Sequence, residues 1–112
     1  MSHNITINIK ATNLDLTPSI CEYIEEKIGS LDKFLERFEK RGEIEIFVEI
    51  ARTTKHHKSG EVFRAEATFS VGKKVFRAED LNEDIRMAID EIRNKLQQEI
   101  KKYKEKKIER HV

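Results

Sequence analysis

The amino-acid sequence predicts an α+β domain with the element order β-α-β-β-β-α, in which both helices lie on one face of a four-stranded, mainly antiparallel sheet. Three observations support this prediction. Apolar and polar residues alternate in four segments, apolar residues recur at spacings of three and four in two others, and glycines punctuate the segments. A length of 112 residues suits one domain, which we place at residues 1–112 with a basic tail at 105–112.

The N-terminal part of the chain predicts a strand followed by a helix. Ile5, Ile7 and Ile9 alternate with polar residues, which is the period of a half-buried strand. Thr17 and Pro18 form a typical helix start, because the hydroxyl can cap the first turn and proline suits the first helical position. We predict one helix, weakened at Gly29 and stopped at Gly42. Its apolar stripe consists of Ile20, Ile24, Ile28, Leu31, Leu35 and Phe38.

Three further strands follow in the middle of the chain. The inward residues of the second and third strands are Ile44, Ile46, Val48 and Ile50, and Phe63, Ala65, Ala67, Phe69 and Val71. Gly72, Lys73 and Lys74 mark a tight hairpin into a fourth strand at residues 75–79. Phe47 and Phe76 fall on the polar phase of their strands, which predicts exposed stacking platforms, sheet-edge contacts or a dimer contact.

The last helix has the most regular pattern. Asp80 and Glu83 fit a capping box at its start. The apolar stripe then follows Ile85, Ala88, Ile89, Ile92, Leu96, Ile100 and Tyr103, with Lys95, Lys102 and Lys106 on one flank and Arg86, Arg93, Lys101 and Lys104 on the other. Such cationic flanks can contact a row of phosphates. The same residues are also explained by a solvent-exposed helix whose side chains form ion pairs, such as Glu91 with Lys95.

The charge distribution is uneven although the net charge is only +1. From residue 95 to the end there are seven bases and three acids, a balance of +4, and residues 52–64 carry four bases against one acid. Between residues 22 and 45 the balance is −3, from eight acids and five bases. This asymmetry indicates a polyanionic partner.

Several classes of function find no support in the sequence. There is no glycine-rich phosphate loop, no CxxC pair and no nucleophile motif, so we expect no enzyme, no cofactor and no small-molecule substrate. His56 and His57 would point to opposite sides of an extended chain, which argues against a shared metal ion. No apolar stretch reaches the length of a signal peptide or a membrane span, which predicts a cytoplasmic protein without a membrane partner.

Three segments of the chain resemble the ribosome hibernation-promoting factors, also called ribosome-associated inhibitors or ribosomal subunit interface proteins. They lie in residues 7–28, 55–66 and 77–104, and from first to last they extend across nearly the whole chain. The most similar runs are Asn13-Leu14-Asp15-Leu16-Thr17-Pro18, Lys55-His56-His57-Lys58-Ser59-Gly60, Ala88-Ile89-Asp90 and Lys101-Lys102-Tyr103-Lys104.

The resemblance implies a fold akin to a double-stranded-RNA-binding domain with an added strand. It also implies a protein that occupies the mRNA–tRNA channel of the small ribosomal subunit, contacts 16S rRNA and blocks translation during starvation or stationary phase. The residues expected to contact rRNA are Lys55, His56, His57, Lys58, Lys73, Lys74, Arg86, Lys95, Lys101, Lys102 and Lys104.

The sequence departs from the family pattern at two positions. Arg86 stands where relatives usually have tyrosine, so a charge contact would replace any contact of that ring. Gln98 stands where arginine is common, which removes one phosphate contact. The sequence ends at Val112, before the linker and dimerisation domain of long family members, so we do not expect ribosome pairing through that domain. We predict a monomer, although the exposed Phe47 leaves a weak homodimer open.

Two other functions remain open at this point. One is a general double-stranded-RNA-binding domain, which naked duplex RNA would distinguish by competition. The other is a protein-interaction α/β sandwich whose lysines only aid solubility, which predicts salt-insensitive partners. A small α/β hydrolase is a further alternative, but no group of residues argues for it.

Overall fold

Four strands and three helices make up the computed structural model, which describes residues 5–36, 43–53 and 62–110. Phe38, Gly42, Lys55, His56, His57 and Lys58 lie outside these residues. The elements are β1 (Ile5–Thr12), α1 (Pro18–Gly29), α2 (Asp32–Leu35), β2 (Ile44–Thr53), β3 (Val62–Val71), β4 (Lys74–Asn82) and α3 (Ile85–Arg110). None of the helices among the described residues is both long and apolar enough to cross a membrane.

The sheet has the strand order β1-β2-β3-β4. β1 and β2 are parallel, because α1 and α2 carry the chain back between them, and the two remaining pairs are antiparallel. Both α1 and α3 pack against the sheet and against each other, and the inward residues of β2 and β3 are buried as predicted. The predicted α+β fold, with a mainly antiparallel sheet and helices on one face, is confirmed.

The first helix is shorter than predicted. α1 ends at Gly29, and α2 follows after Ser30 and Leu31, so the prediction of one continuous helix is wrong. Glycine has low helix propensity, and the Ser30 hydroxyl donates to the carbonyl of Lys27 at 2.6 Å, which satisfies an acceptor at the end of α1. The predicted start is confirmed, because Thr17 Oγ1 accepts from the backbone N–H of Ile20 at 3.2 Å.

The predicted exposure of Phe76 is also wrong, whereas that of Phe47 is confirmed. Phe76 is 1% exposed and Phe47 is 53% exposed. The β3–β4 register places Phe76 directly opposite the core residue Phe69, and their rings stack with centroids 4.8 Å apart. Directly paired residues share a face of the sheet, so Phe76 follows Phe69 inward.

The start of α3 lies later than the predicted capping box. β4 continues to Asn82, so Asp80 pairs with Ala65 within the sheet and cannot cap a helix. Asp84 caps α3 instead, because its Oδ1 accepts from the backbone N–H groups of Arg86 and Met87 at 2.9 and 3.3 Å.

The apolar stripe of α3 forms much of the core. Ala88, Ile89, Ile92 and Leu96 are fully buried, Ile100 is nearly so, and Ile85 and Tyr103 are partly buried against the same cluster. α3 packs mainly against β4 and β3, whereas α1 packs against β1 and α3. The predicted stripe is therefore confirmed, and it fixes which flanks of α3 face β4 and α1.

Shortening Leu96 should expose the dependence of the fold on this stripe. We expect Leu96→Ala to lower the free energy of unfolding by about 3 kcal/mol, because it leaves a cavity among side chains that cannot fully collapse. Urea unfolding followed by circular dichroism would measure the change. Met87 lies on the same helix and is 53% exposed. Met87→Ala should therefore lower the free energy of unfolding by less than about 0.5 kcal/mol. Equal losses in the two variants would contradict the packing described here.

Candidate nucleic-acid interface

Helix α3 and the β3–β4 hairpin together form a cationic region that we term the basic surface. Its members are Lys73, Lys74, Arg86, Arg93, Lys95, Lys101, Lys102, Lys104 and Lys106. The lysines and arginines of α3 flank its buried stripe, so they lie along the two edges of the helix rather than within the core.

On the edge facing β4, Lys95 is held by the sheet. Its Nζ donates to the carbonyl oxygen of Glu79 at 2.8 Å and to Oδ1 of Asp80 at 3.3 Å. The ion pair with Asp80, rather than the predicted pair with Glu91, neutralises part of the Lys95 charge. Lys95 remains about half exposed, with 47% of its side chain accessible, so it connects α3 to β4 and can still face an anion.

Near the far end of α3, Lys74 of the hairpin lies over two aromatic rings. Its Nζ is 5.4 Å from the ring centroid of Phe76 and 5.9 Å from that of Tyr103. Tyr103 meets Phe76 edge to face, with centroids 5.5 Å apart. A shallow depression of about 320 Å³ lies beside Tyr103, bordered also by Lys102 and Lys106 and by Glu99 and Glu105. The hairpin and the end of α3 thus form one continuous surface on which lysines outnumber glutamates.

On the edge facing α1, two arginines clamp the helices together. Arg86 donates from Nη2 to Ser19 Oγ at 2.9 Å, and its guanidinium lies 5.4 Å from the Tyr23 ring centroid. Arg93 repeats the arrangement about two turns further on. It donates from Nε to Ser30 Oγ at 3.0 Å, with its guanidinium 5.7 Å from the Phe34 ring centroid.

Arg86 and Arg93, which the sequence places on one flank of α3, therefore have a structural role as well as a positive charge. Arg93 is half-buried and Arg86 is exposed, so Arg86 can stabilise the α1–α3 contact and still present charge to solvent. Sequence reasoning did not predict the serine and aromatic partners of either arginine. Ser19 and Ser30 have the same spacing as Tyr23 and Phe34, which was the available signal, but it does not identify their partners.

Tyr23 and Asp90 form a third contact between α1 and α3. The Tyr23 hydroxyl donates to Asp90 Oδ1 at 2.7 Å. This hydrogen bond, followed by partial burial and by the negative charge of Asp90, raises the pKa of Tyr23 to about 12. The phenol therefore stays protonated and keeps the helices joined across the neutral pH range.

Three lysines of the basic surface stand apart from these contacts. Lys73, Lys101 and Lys102 are exposed, and no ion pair joins any of them to another residue in the described part of the chain. Lys104 is half-buried and interacts with another group of the protein. Uncompensated ammonium groups at a fixed surface are suited to phosphate contacts. Within residues 5–36, 43–53 and 62–110, no three His, Cys, Asp or Glu side chains are arranged to hold a metal ion.

The family model described as Sigma 54 modulation protein / S30EA ribosomal protein matches residues 7–108 of this chain. The chain is 33% identical over 100 residues to a ribosome hibernation promotion factor of Lactococcus lactis, covering 89% of this chain and 50% of that protein. It is also 33% identical over 104 residues to the Staphylococcus aureus factor of that name, covering 89% and 48%. The chain thus spans about half the length of these curated relatives.

Two solved structures share the fold. The N-terminal domain of Thermus thermophilus Protein Y superposes with a TM-score of 0.69 and 24% identity, over 88% of this chain and 98% of that domain. A ribosomal subunit interface protein from Coxiella burnetii gives a TM-score of 0.67 and 17% identity, over 88% and 97%. At these identities the likeness concerns the fold alone.

Titration of Tyr23 should report on the α1–α3 contact. Folding raises this pKa, so the hydrogen bond stabilises the protein below the ordinary value of 10.0 and is lost as the pH rises from there through about 12. The absorbance difference between the parent and Tyr23→Phe during alkaline titration should have a midpoint near 12. At pH 7, Tyr23→Phe should lower the free energy of unfolding by about 1 kcal/mol.

Asp90→Asn is the matched control, because it keeps the shape of the side chain while removing the charge that holds the phenolic proton. Its Tyr23 midpoint should fall toward 10.0. An unshifted midpoint in the parent would contradict the Tyr23–Asp90 hydrogen bond.

Proposed function

The chain belongs to the Sigma 54 modulation protein / S30EA ribosomal protein family, and we propose on this basis that it is a ribosome hibernation factor that binds the small ribosomal subunit and inhibits translation. The observation that carries the proposal is the 33% identity to two ribosome hibernation promotion factors over 89% of this chain. The proposed partners are 16S rRNA and the small subunit, in the cytoplasm, and the proposed acting species is a monomer.

The proposed mechanism is steric occlusion held by phosphate contacts. The domain would lie in the mRNA–tRNA channel of the small subunit and exclude both ligands during starvation, without a catalytic step. RNA binding without chemistry needs only a rigid shape and well-placed cations. The packed stripe of α3 supplies the rigidity, because Ile92, Leu96 and Ile100 fix the helix against the sheet.

Lys101 and Lys102 are the residues best suited to contact the rRNA backbone. Both are exposed, and they lie beyond Lys95 on a helix whose orientation the core determines. Lys95 and Lys102 are seven residues apart, roughly 10 Å along the helix, so they can reach different phosphates of one backbone. Lys73 and Lys74 would extend this contact onto the hairpin, and Lys104 and Arg86 would contribute from the α1 side.

The segment with Lys55, His56, His57 and Lys58 completes the proposed rRNA contacts. These residues remain a prediction from the sequence, since they lie outside the described residues. Nearby, Arg52 at the end of β2 lies with its guanidinium 5.9 Å from the Phe63 ring centroid. The strands that flank the segment therefore bring one further cation to the same end of the sheet.

Co-sedimentation with isolated small subunits tests the proposal. The double variant Lys101→Gln/Lys102→Gln should bind more weakly than the parent, because two phosphate contacts are lost. The slope of log affinity against log salt should become shallower by about 0.9 for each contact with duplex rRNA. Both side chains are exposed and without ion pairs in the described structure, so circular dichroism should show an unchanged fold.

The matched control is Lys10→Gln/Arg77→Gln, which removes two positive charges from the sheet face turned away from α3. We expect it to retain the parent's affinity and salt slope. Excess naked duplex RNA should not displace the parent from the subunits. Displacement by duplex RNA would instead indicate a general double-stranded-RNA-binding domain, and equal weakening in both double variants would show that only net charge matters.

A further inference from the structure

The sheet face turned away from the helices, which we term the open face, carries an exposed aromatic ring at its centre. Phe47 is 53% exposed, and the register places it between Asn8 of β1 and Thr68 of β3. A large apolar side chain exposed in the middle of a sheet loses the free energy that its burial would provide. Its surroundings therefore indicate what could cover it.

Acidic residues outnumber basic residues on the open face. The outward positions of the described strands hold four carboxylates and three cations, and Glu43, directly before β2, adds a fifth carboxylate, for a balance of −2. These residues are Glu43, Glu45, Glu49, Glu66 and Glu79, and Lys10, Arg64 and Arg77. The basic surface of α3 lies on the other side of the sheet, so the two faces of the molecule differ in the sign of their charge.

The charges of β3 and β4 are largely compensated within the face. Arg64 hydrogen-bonds Glu79, donates to Glu66 at 3.1 Å and reaches Glu49 at 4.0 Å, while Arg77 pairs with Glu66. The contact with Arg64 lowers the pKa of Glu79, so that carboxylate stays ionised and bound. This half of the open face is an internal ion-pair network with little charge left for a partner.

The half formed by β1 and β2 is different, because mostly neutral groups orient its carboxylates. Thr6 donates to Glu43 at 2.8 Å, Asn8 donates to Glu45, and Thr12 donates to Glu49 at 2.7 Å. The donors are hydroxyls and an amide, so they hold Glu43 and Glu45 in place without cancelling their charge, whereas Glu49 also lies 4.0 Å from Arg64.

One cation, Lys10, interrupts this row, and the register pairs it with Glu49. Glu45 remains exposed and oriented at the outward position next to Phe47, and exposed Glu43 lies two residues before Glu45.

We propose that the open face around Phe47 docks an arginine-rich, extended polypeptide segment of a protein partner. A guanidinium can stack on an aromatic ring and at the same time direct its N–H groups to a carboxylate. Phe47 with Glu45, two residues earlier on the same strand, provides this combination. A depression of about 220 Å³ beside Phe47, bordered by Asn8, Glu49, Glu66 and Thr68 and also by the cation Lys10, has room for a long side chain.

Charge complementarity distinguishes this partner from the one proposed for the basic surface. A nucleic acid would bring its phosphates against Glu43 and Glu45, which repel them. A cationic polypeptide would be attracted by these carboxylates and repelled by the lysines of α3. The inference does not depend on the ribosomal function, and the two partners could bind the two faces together.

The test uses a fluorescently labelled octa-arginine peptide and the intact chain at low salt. Fluorescence anisotropy would measure the affinity, and amide NMR shifts would locate the peptide. We expect shifts at β1 and β2 around Phe47, and binding about fivefold weaker in Phe47→Ala because the stacking contact is lost. Met87→Ala, which truncates a side chain of the same 53% exposure on α3, should bind like the parent.

A second pair of variants tests the charges. Glu43→Gln/Glu45→Gln keeps oxygen acceptors for Thr6 and Asn8, so the fold should hold while the peptide binds at least about fivefold more weakly. Glu91→Gln/Glu105→Gln makes the same change of net charge on exposed residues of α3 and should leave binding within about twofold of the parent.

Several results would overturn the proposal: no binding of the peptide to the parent, amide shifts confined to the helix face, or equal weakening in the two double variants. Octa-lysine that binds as tightly as octa-arginine would also overturn it, because lysine lacks the planar group that the ring and carboxylates are proposed to hold.

Discussion

The packing of α3 against the sheet is the interaction on which the other features of this protein depend. Ala88, Ile89, Ile92 and Leu96 are fully buried, and they lie over β3 and β4. A helix held by a stripe of this kind has no freedom to rotate about its axis without exposing apolar surface. Every other side chain on α3 therefore points in a fixed direction relative to the sheet.

This constraint sorts the cations of α3 into two kinds. Those nearest the stripe meet a neighbouring element: Lys95 contacts β4, while Arg86 and Arg93 contact serines and rings of α1 and the segment after it. Lys102, on the same flank as Lys95 but about two turns further along, and Lys101 reach solvent. The same basic sequence thus provides both the links that hold the helix and the charges available to a phosphate backbone.

The alternation of the strands has a parallel consequence for the sheet. One set of residues forms the core beneath the helices, and the other set forms the open face with Phe47 and its carboxylates. Because a strand alternates strictly, the residues that complete the core also decide which residues face outward. The molecule consequently has two chemically distinct surfaces, one rich in lysine and one rich in glutamate, on opposite sides of a single thin domain.

The sequence by itself determined the order of the elements, the stripe of α3, the outward position of Phe47 and the set of cations, because each depends on local periodicity. The tertiary structure alone decided that Phe76 faces inward, that Asp84 rather than Asp80 caps α3, and that α1 stops at Gly29. It also decided the partners of the cations. Arg86 and Ser19 are 67 residues apart, and Lys95 and Asp80 are 15 apart. A periodic pattern specifies which face a residue occupies, whereas register and helix packing specify what lies opposite it, and these arise only when distant segments meet.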